Sequence, residues 1–209
     1  MHNFNKKIAQ IYEKRFDKLG PVPEASLWFS TERQIIRFQI MSEQISSLDL
    51  SHPVRIGDIG CGYGEFFKYL SNNNPGLFER YHGYDIAANL INYCKKNYFN
   101  SKASFFVAEV PSTHLEITVM SGTFNLAPTT DFLLWKEYVY KRLASIWKKT
   151  KVAMIFNLQV GLNSEIKEQG IVYYNIDEVI NFCKKFFGPT RAIKHQKLPH
   201  DATFLVQRL

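Results

Sequence analysis

The sequence predicts an α/β fold: a mainly parallel sheet of seven strands with helices on both faces. From Val54 onward, short apolar segments alternate with amphipathic helical segments, which is typical of repeated strand–helix–strand units. The last two strand-like segments are separated only by a short turn, which predicts an antiparallel C-terminal hairpin. The first fifty residues show helical patterns only, so we expect an N-terminal helical cap on this sheet.

Two helices are expected in the cap. Residues 3–18 carry apolar side chains at helical spacing among lysines and acids. The segment GPVPEAS then breaks the pattern, because its prolines lack a backbone donor and restrict the chain. A second helix is predicted from Ser30 or Thr31 to about Ile45, with Ser30 as its N-cap.

Seven strands and four helices are expected in the core. The strands are short apolar runs: VRIGDI, RYHGYD, ASFFVAEV, LEITVMS, VAMIFNLQV, RAIKHQKL and TFLVQRL. The helices have apolar residues at a period near 3.6: residues 64–72, AANLINYCKKNY, residues 131–148 and NIDEVINFCKKFF. The turn of the final hairpin is predicted at PHDA.

Length and composition indicate one folded domain. The chain has 209 residues, of which 45% are hydrophobic and 22% charged. We therefore treat 1–209 as a single domain, with 1–50 as the cap and 51–209 as the core. No segment has the apolar length of a membrane span, and the N-terminus is too polar for a secretory signal, so a cytoplasmic location is expected.

Cysteine spacing and charge narrow the function classes. Cys61, Cys94 and Cys183 lie far apart, which favours reduced thiols and gives no metal-ligand spacing, so no metal is expected. The net charge of +7 allows a polyanionic partner. The basic residues come in scattered pairs, however, which favours solvated helix faces; a nucleic-acid surface stays the alternative.

The segment DIGCGYG follows the first predicted strand and precedes a helix. Asp58 comes first, and then Gly60, Gly62 and Gly64 alternate with other residues. A dinucleotide fingerprint would need glycine at position 65, which is Glu65, and the Gly-Lys-Ser/Thr ending of a P-loop is absent. Neither motif is therefore present. Glycines at the carboxyl end of a parallel strand nevertheless predict a ligand in close contact with the backbone, because they have no side chains.

This segment resembles motif I of the class I S-adenosylmethionine-dependent methyltransferases. The chain is also similar, over roughly its whole length, to a group of small bacterial methyltransferases, through LWFSTERQIIRF, DIGCGYG, SGTFN, YYNIDEVINFC and LPHDATF. The resemblance implies a Rossmann-like methyltransferase sandwich, S-adenosylmethionine as cofactor and S-adenosylhomocysteine as product. A shared fold does not by itself identify the acceptor.

The resemblance also implies cofactor-binding residues at the ends of the strands. Asp85 would accept hydrogen bonds from the ribose hydroxyls, and Asp58 would reach the loop amides or the amino-acid part of the cofactor. The other implied contacts are the loop glycines at positions 60, 62 and 64, then Ile86, Glu109 and Val110 around the adenosine, and Ser121 near the methyl group.

Cap residues are candidates for closing the site. Arg37 could bind the cofactor carboxylate, because a guanidinium is matched to that group, and Trp28 could exclude water. The alternative is a helix that packs its aromatic residue and extends its arginine along the surface. Tyr12 is a further candidate for this lid.

His200 and Asn125 are the candidate catalytic residues. His200 could act as a general base near neutral pH, and Asn125 follows the fourth strand, where its amide could face the acceptor. The alternatives are an exposed histidine beside an Asp201 that caps the turn, and an asparagine that caps a loop. Of Tyr173 and Tyr174, one is expected to line the acceptor pocket and the other to lie in the core.

The favoured function is methyl transfer to a small-molecule acceptor, such as a compound of secondary metabolism. A small acceptor is favoured because the chain adds only a short cap to the core fold. The alternatives are an RNA methyltransferase, a protein methyltransferase, and a non-catalytic subunit that binds the cofactor. No membrane partner is expected, and the sequence predicts no oligomeric state.

Overall fold

A computed structural model of the chain describes residues 4–27, 30–99 and 102–208. The helices are α1 Phe4–Leu19, α2 Thr31–Ser46, α3 Glu65–Asn73, α4 Ala88–Asn97, α5 Phe132–Trp147 and α6 Ile176–Phe186, with 3₁₀ turns at Pro23–Ser26 and Glu168–Gly170. The strands are β1 Val54–Ile59, β2 Phe78–Asp85, β3 Ala103–Val107, β4 Leu115–Ser121, β5 Thr150–Gly161, β6 Glu165–Ile166, β7 Val172–Asn175, β8 Thr190–His195 and β9 Leu198–Gln207.

The strands form one sheet whose main path runs β3-β2-β1-β4-β5-β7-β6. Strands β1 to β5 are parallel to their neighbours, whereas β9 runs antiparallel to β5, and β8 antiparallel to β9. The predicted α/β fold, with its mainly parallel sheet and C-terminal antiparallel hairpin, is confirmed. The short strands β6 and β7 are additions to the seven predicted strands.

The long strand β5 has two partners along its length. Residues 153–159 pair with β9, and Val160 and Gly161 then pair with β7. The carboxyl end of β5 therefore lies between β4 on one side and the β7 and β9 segments on the other. This arrangement brings residues from four strands to one edge of the sheet.

The two cap helices cover opposite faces of the sheet. Helix α1 contributes Phe4 and Ile8 to the hydrophobic cluster that contains α5 and α6. Helix α2 contributes Phe38, Met41 and Ile45 to the cluster that contains α3 and α4. Side chains alternate between the two faces along each strand, so both clusters draw on the same strands.

Ser30 caps α2 as predicted, since its hydroxyl accepts a hydrogen bond from the Arg33 amide at 3.2 Å. Asn175 caps α6 in the same way, accepting from the amides of Asp177 and Glu178. Each cap satisfies donors at a helix start, and this fixes where the helix begins.

The predicted position of the hairpin turn is wrong. The turn between β8 and β9 lies at residues 196–197, and PHDA is part of β9. Between Ile193↔Thr203 and His195↔Leu198 the register shifts, so β9 bulges around His200. Pairing of this segment with β5, where Asp201 lies opposite Gln159, outweighs the turn tendency of Pro, His and Asp.

Tyr174 lies in the core, with its side chain 1% exposed, and its hydroxyl accepts a hydrogen bond from Trp135 Nε1 at 3.0 Å. We expect Tyr174→Phe to lower the free energy of unfolding by about 1–3 kcal/mol, because the buried indole donor loses its partner. Urea denaturation measures this change.

The matched control is Tyr173→Phe, at a partly exposed position on the other face of β7. Its effect on stability should stay within about 0.5 kcal/mol. Equal losses in the two variants would contradict a specific role for the Trp135–Tyr174 bond.

Candidate active site

A cavity of about 260 Å³ opens at the carboxyl ends of β1, β2, β4 and β5. Helix α1 lines it from one face of the sheet and helix α2 from the other. The segment after β4, the strand β7 and the bulge of β9 complete its wall. This is the position where open parallel sheets bind ligands.

The glycine loop lies on the floor of the cavity. Gly60, Gly62 and Gly64 all have positive φ, at 77°, 58° and 87°, a region that L side chains rarely adopt. A Cβ added at Gly62 would meet nothing closer than Ser26 Oγ at 3.6 Å. A Cβ at Gly62 would therefore make ordinary contacts with Ser26 and Leu90, and it is the positive φ that favours glycine at this cavity-lining position.

Gly64 has a different role from the one predicted. It does not line the cavity, and a Cβ there would lie 2.6 Å from Cε2 of Tyr98. The residue directly precedes α3 in the left-handed conformation. Gly64 is thus required by the close approach of Tyr98 and by the entry into the helix, and its predicted contact with the cofactor stays a prediction.

Asp85 fixes the shape of the glycine loop. Its Oδ2 accepts a hydrogen bond from the Gly62 amide at 2.9 Å, and its Oδ1 accepts one from the Ala87 amide at 2.8 Å. Burial raises the pKa of Asp85, and these backbone amides oppose the rise. Each carboxylate oxygen has more than one acceptor site, so the side chain can still accept hydrogen bonds from two adjacent hydroxyls.

Asp58 differs from the prediction in its contacts. It lines the cavity with 2% of its surface exposed, and its carboxylate accepts a hydrogen bond from the Tyr81 hydroxyl instead of from loop amides. Burial raises the pKa of Asp58 to about 7; the Tyr81 hydrogen bond lowers it, and the Asp85 charge raises it further. The sequence did not identify Tyr81 as a site residue, because it lies within an ordinary strand pattern.

The end of β3 is tied to α1 and α5. Glu109 lines the cavity, forms an ion pair with Arg142 at 2.6 Å and accepts a hydrogen bond from Asn5. Tyr138 donates a hydrogen bond to Asn5 in turn. Val110 is not among the residues that line the cavity and packs against the core, so its predicted contact with the cofactor stays a prediction.

Three residues of α5, namely Trp135, Tyr138 and Arg142, line the cavity and were missed by the sequence analysis. They are spaced three and four residues apart, so they share one face of the helix. The only sequence signal was this spacing, which also describes a plain core helix. Tyr12 of α1 does line the cavity, and burial together with the nearby Asp85 raises its pKa to about 12.

Arg37 lines the cavity and is paired with a carboxylate of the protein itself. Its Nη2 donates to Asp201 Oδ1 at 2.9 Å and to Oδ2 at 2.8 Å, and both residues are buried, at 6% and 7% exposure. Burial lowers the pKa of Arg37, while Asp201 opposes this change. Asp201 is therefore an ion-pair partner and not a turn cap. Trp28 lies outside the described residues.

The acceptor side of the cavity combines apolar and polar groups. Phe124, Leu126 and Ile171 supply apolar surface. The rings of Tyr173 and His200 meet edge to face, with centroids 6.3 Å apart. The bulge of β9 thus places His200 in the cavity wall, where its side chain is exposed as the alternative expected, while Tyr174 is the core member of the tyrosine pair.

Ser121, Ile86 and Asn125 also line the cavity. Ser121 Oγ is buried and finds no hydrogen-bond partner in the parts of the chain that the structure describes. Asn125 Oδ1 accepts a hydrogen bond from the Gln159 amide at 3.1 Å, as the loop-capping alternative expects. Gln159 itself lines the cavity and was not predicted.

Cys61 is not a nucleophile in this site. Its thiol is buried and free of disulfides, and burial raises its pKa well above the ordinary value. A nucleophilic cysteine requires a thiolate, which burial disfavours. Within residues 4–27, 30–99 and 102–208, no group of three or more His, Cys, Asp or Glu side chains gathers as metal ligands would.

The charges around the glycine loop fit a cationic ligand. Asp58 and Asp85 both line the cavity at this loop, and Arg37 and Arg142 are each paired with a carboxylate. A polyphosphate at the loop would meet two carboxylates, whereas a ligand with a sulfonium and an ammonium group would be attracted by them. The residues present therefore fit S-adenosylmethionine better than a phosphorylated nucleotide.

Asp58 makes the stability of the protein depend on pH. Its pKa in the folded state is raised from 3.8 to about 7, so burying the charged form costs free energy once the carboxyl ionises. This destabilisation is absent below about pH 4, grows as the pH rises, and is complete above the folded pKa.

We expect Asp58→Asn to raise the free energy of unfolding relative to the wild type by about 2 kcal/mol or more at pH 8, with no such gain at pH 4. Denaturant titrations without ligand at both pH values test this. The control is Asp49→Asn, at an exposed position. A gain that is the same at pH 4 and pH 8 would rule out the ionisation of Asp58 as its cause.

Residues 57–152 match the model of a family described as a methyltransferase domain. A curated protein of Mycobacterium tuberculosis, Rv1506c, whose name provisionally calls it a methyltransferase, is 22% identical over 163 residues. That alignment covers 77% of this chain and 97% of the relative. The matched segment of the family model contains the glycine loop, Asp85 and Ser121.

Solved structures share the fold. A SAM-dependent methyltransferase of Leishmania major superposes with a TM-score of 0.72 at 12% identity, over 98% of this chain and 82% of that one. The magnesium protoporphyrin IX methyltransferase ChlM of Synechocystis with bound SAM gives 0.69 at 8% identity, over 100% and 99%. The plantazolicin methyltransferase BpumL with SAH gives 0.62 at 13%, over 98% of both. The family match over residues 57–152, the curated relative and the shared fold together support a class I S-adenosylmethionine-dependent methyltransferase.

Proposed function

We propose that the chain transfers the methyl group of S-adenosylmethionine to a small-molecule acceptor. The observation that carries this proposal is the single cavity in which a carboxylate-lined glycine loop continues into a mostly apolar acceptor side, under α1 and α2. A volume of about 260 Å³ is of the order of small-molecule sites. ChlM and BpumL, which share the fold, are a magnesium protoporphyrin IX methyltransferase and a plantazolicin methyltransferase, and this supports the proposed acceptor class.

Binding of the cofactor is assigned to the loop and to the two neighbouring strand ends. Asp85 accepts hydrogen bonds from the ribose hydroxyls, and Ile86 and Glu109 border the adenosine. Gly60 and Gly62 allow close approach of the main chain, and Asp58 carries negative charge toward the cationic end. Bound there, S-adenosylmethionine supplies an activated methyl group on a sulfonium sulfur.

The chain's remaining task is orientation, because an activated methyl group needs an aligned nucleophile more than further activation. Helices α1 and α2 close over the cavity and exclude water. His200, held at the β9 bulge against Tyr173, takes the proton that the acceptor loses. Arg37 positions the bulge through Asp201, so its role is in holding the acceptor side together.

The assignment of Asp85 predicts a loss of cofactor affinity. Asp85→Ala should weaken binding of S-adenosylmethionine by about 1–3 kcal/mol, because hydrogen bonds to a charged group are lost and the Gly62 amide loses its partner. Isothermal titration calorimetry measures this, with the exposed Asp49→Ala as control. Unchanged affinity would refute the ribose assignment, and tighter binding of ATP or NADH by the wild type would refute the cofactor fit.

The assignment of His200 predicts a defect in turnover only. His200→Ala should lower kcat by about 10²-fold or more, the usual range for a general base, and leave the affinity for S-adenosylmethionine within about twofold. The control is His195→Ala, an exposed histidine of β8 in the same hairpin. A pH–rate profile with the same shape for the wild type and His200→Ala would show that His200 is not the base.

Screening small-molecule acceptors alongside bulk tRNA separates the proposal from its alternatives. Methylation of RNA with steep salt dependence would indicate the nucleic-acid function. Cofactor binding without turnover on any acceptor class would indicate a non-catalytic subunit.

A further inference from the structure

We propose that the atom methylated by this enzyme is an oxygen, and that Asn125 selects it by donating a hydrogen bond from Nδ2. The inference rests on the proposed function, since it names the acceptor chemistry of the same site. It follows from the donors and acceptors that remain free on the acceptor side of the cavity once the hydrogen bonds within the protein are formed.

Asn125 presents a donor, and not an acceptor, to the cavity. Its Oδ1 accepts a hydrogen bond from the Gln159 amide at 3.1 Å, and only the oxygen of the side chain can accept from an N–H group. This bond fixes the orientation of the amide. Asn125 lines the cavity with 8% of its surface exposed, and its Nδ2 has no partner among the described residues.

The carboxylate on the acceptor side is likewise engaged. Both oxygens of Asp201 accept hydrogen bonds from Arg37, so its charge is neutralised within the protein. An amine acceptor would need such a group to orient its N–H bonds or to balance its charge. Gln159 carries both a donor and an acceptor and therefore does not discriminate between oxygen and nitrogen.

The surroundings of Asn125 indicate the rest of the acceptor. Phe124 and Leu126 flank it in sequence, and Ile171 and Tyr173 lie on the facing strand segment of the cavity wall. These side chains suit a planar, largely apolar body. The chemical class is therefore a phenol or enol whose hydroxyl lies between Asn125 and His200.

The reaction balances with the groups named. The acceptor oxygen forms a bond to the methyl carbon while the carbon–sulfur bond breaks, and the electron pair of that bond stays on sulfur as a neutral thioether. The hydroxyl proton passes to the His200 imidazole and then to solvent. The Asn125 N–H stabilises the negative charge that develops on the oxygen as the proton leaves.

Matched aryl compounds that differ only in one group test this assignment. The panel comprises 1- and 2-naphthol, the naphthylamines, the naphthalenethiols and catechol against 1,2-diaminobenzene. Binding to the full chain saturated with S-adenosylhomocysteine is measured by ligand-observed NMR, and methyl transfer from labelled cofactor by mass spectrometry. We expect the hydroxyl compounds to bind and react in preference to their nitrogen and sulfur counterparts.

Asn125→Asp is the decisive variant, because it has the same shape and can still accept from the Gln159 amide. It replaces the donor with a carboxylate, so binding of the hydroxyl compounds should fall about tenfold or more, while affinity for S-adenosylmethionine changes little. Burial of the new carboxylate lowers the melting temperature, so binding is measured well below the melting transition of the variant. The control is Asn163→Asp, at an exposed position in the turn after β5.

Each outcome decides between the two proposals. A preference for amines or thiols, no hydroxyl preference anywhere in the panel, or equal effects of the Asn125 and Asn163 variants overturns the oxygen assignment. Failure of the wild type to bind S-adenosylmethionine overturns the proposed function instead. Loss of hydroxyl binding in Asn125→Asp with intact cofactor affinity supports the assignment.

Discussion

The hydrogen bonds from Gly62 and Ala87 to Asp85 are the constraint on which the site depends. They join the loop after β1 to the loop after β2, so the two segments that contact the cofactor hold one relative position. The Gly60 and Cys61 amides also donate to the Tyr84 carbonyl, at 2.7 and 3.1 Å. A loop with three positive-φ glycines would otherwise have many conformations, and ordering it only on binding would cost affinity.

Closure of the site uses the two cap helices in different ways. Helix α1 is held by polar contacts of its exposed side, such as Glu13 with the Ala88 amide at 2.9 Å. Helix α2 is held by apolar packing and by the buried Arg37–Asp201 pair. Loss of one partner of a buried ion pair costs about 3–5 kcal/mol, whereas exposed contacts are worth about 1 kcal/mol or less.

The sequence predicts the elements of this fold well, because strands and helices follow local periodicity. It predicts the Asp85 position and the glycine loop for the same reason, since both lie where a strand pattern ends. The sequence does not predict features that depend on contacts between segments far apart in the chain. The position of His200 depends on the pairing of Asp201 with Gln159, and the role of Gly64 depends on Tyr98, which is 34 positions away in the chain. No local pattern contains either fact.

The site residues that the sequence did not predict share one property: each lies in a strand or helix whose residue pattern is explained by packing alone. Tyr81 is one of several aromatics in β2, and Trp135 fits the apolar face of α5. Only the folded structure shows that the Tyr81 hydroxyl donates a hydrogen bond to Asp58 and that Trp135 lines the cavity. The periodicity of a strand or helix shows which of its faces is apolar. It does not show which other element packs against that face.

Charge compensation connects the two halves of the cavity. Among the residues that the structure describes, the carboxylates at the glycine loop, Asp58 and Asp85, form no ion pair, whereas on the acceptor side Asp201 is neutralised by Arg37. The field of the first half favours a bound cation, and this preference weakens when methyl transfer turns the sulfonium into a neutral thioether. The buried Asp58, whose pKa is raised to about 7, is the group most sensitive to that loss of charge. The two carboxylates would therefore favour S-adenosylmethionine over S-adenosylhomocysteine at this site.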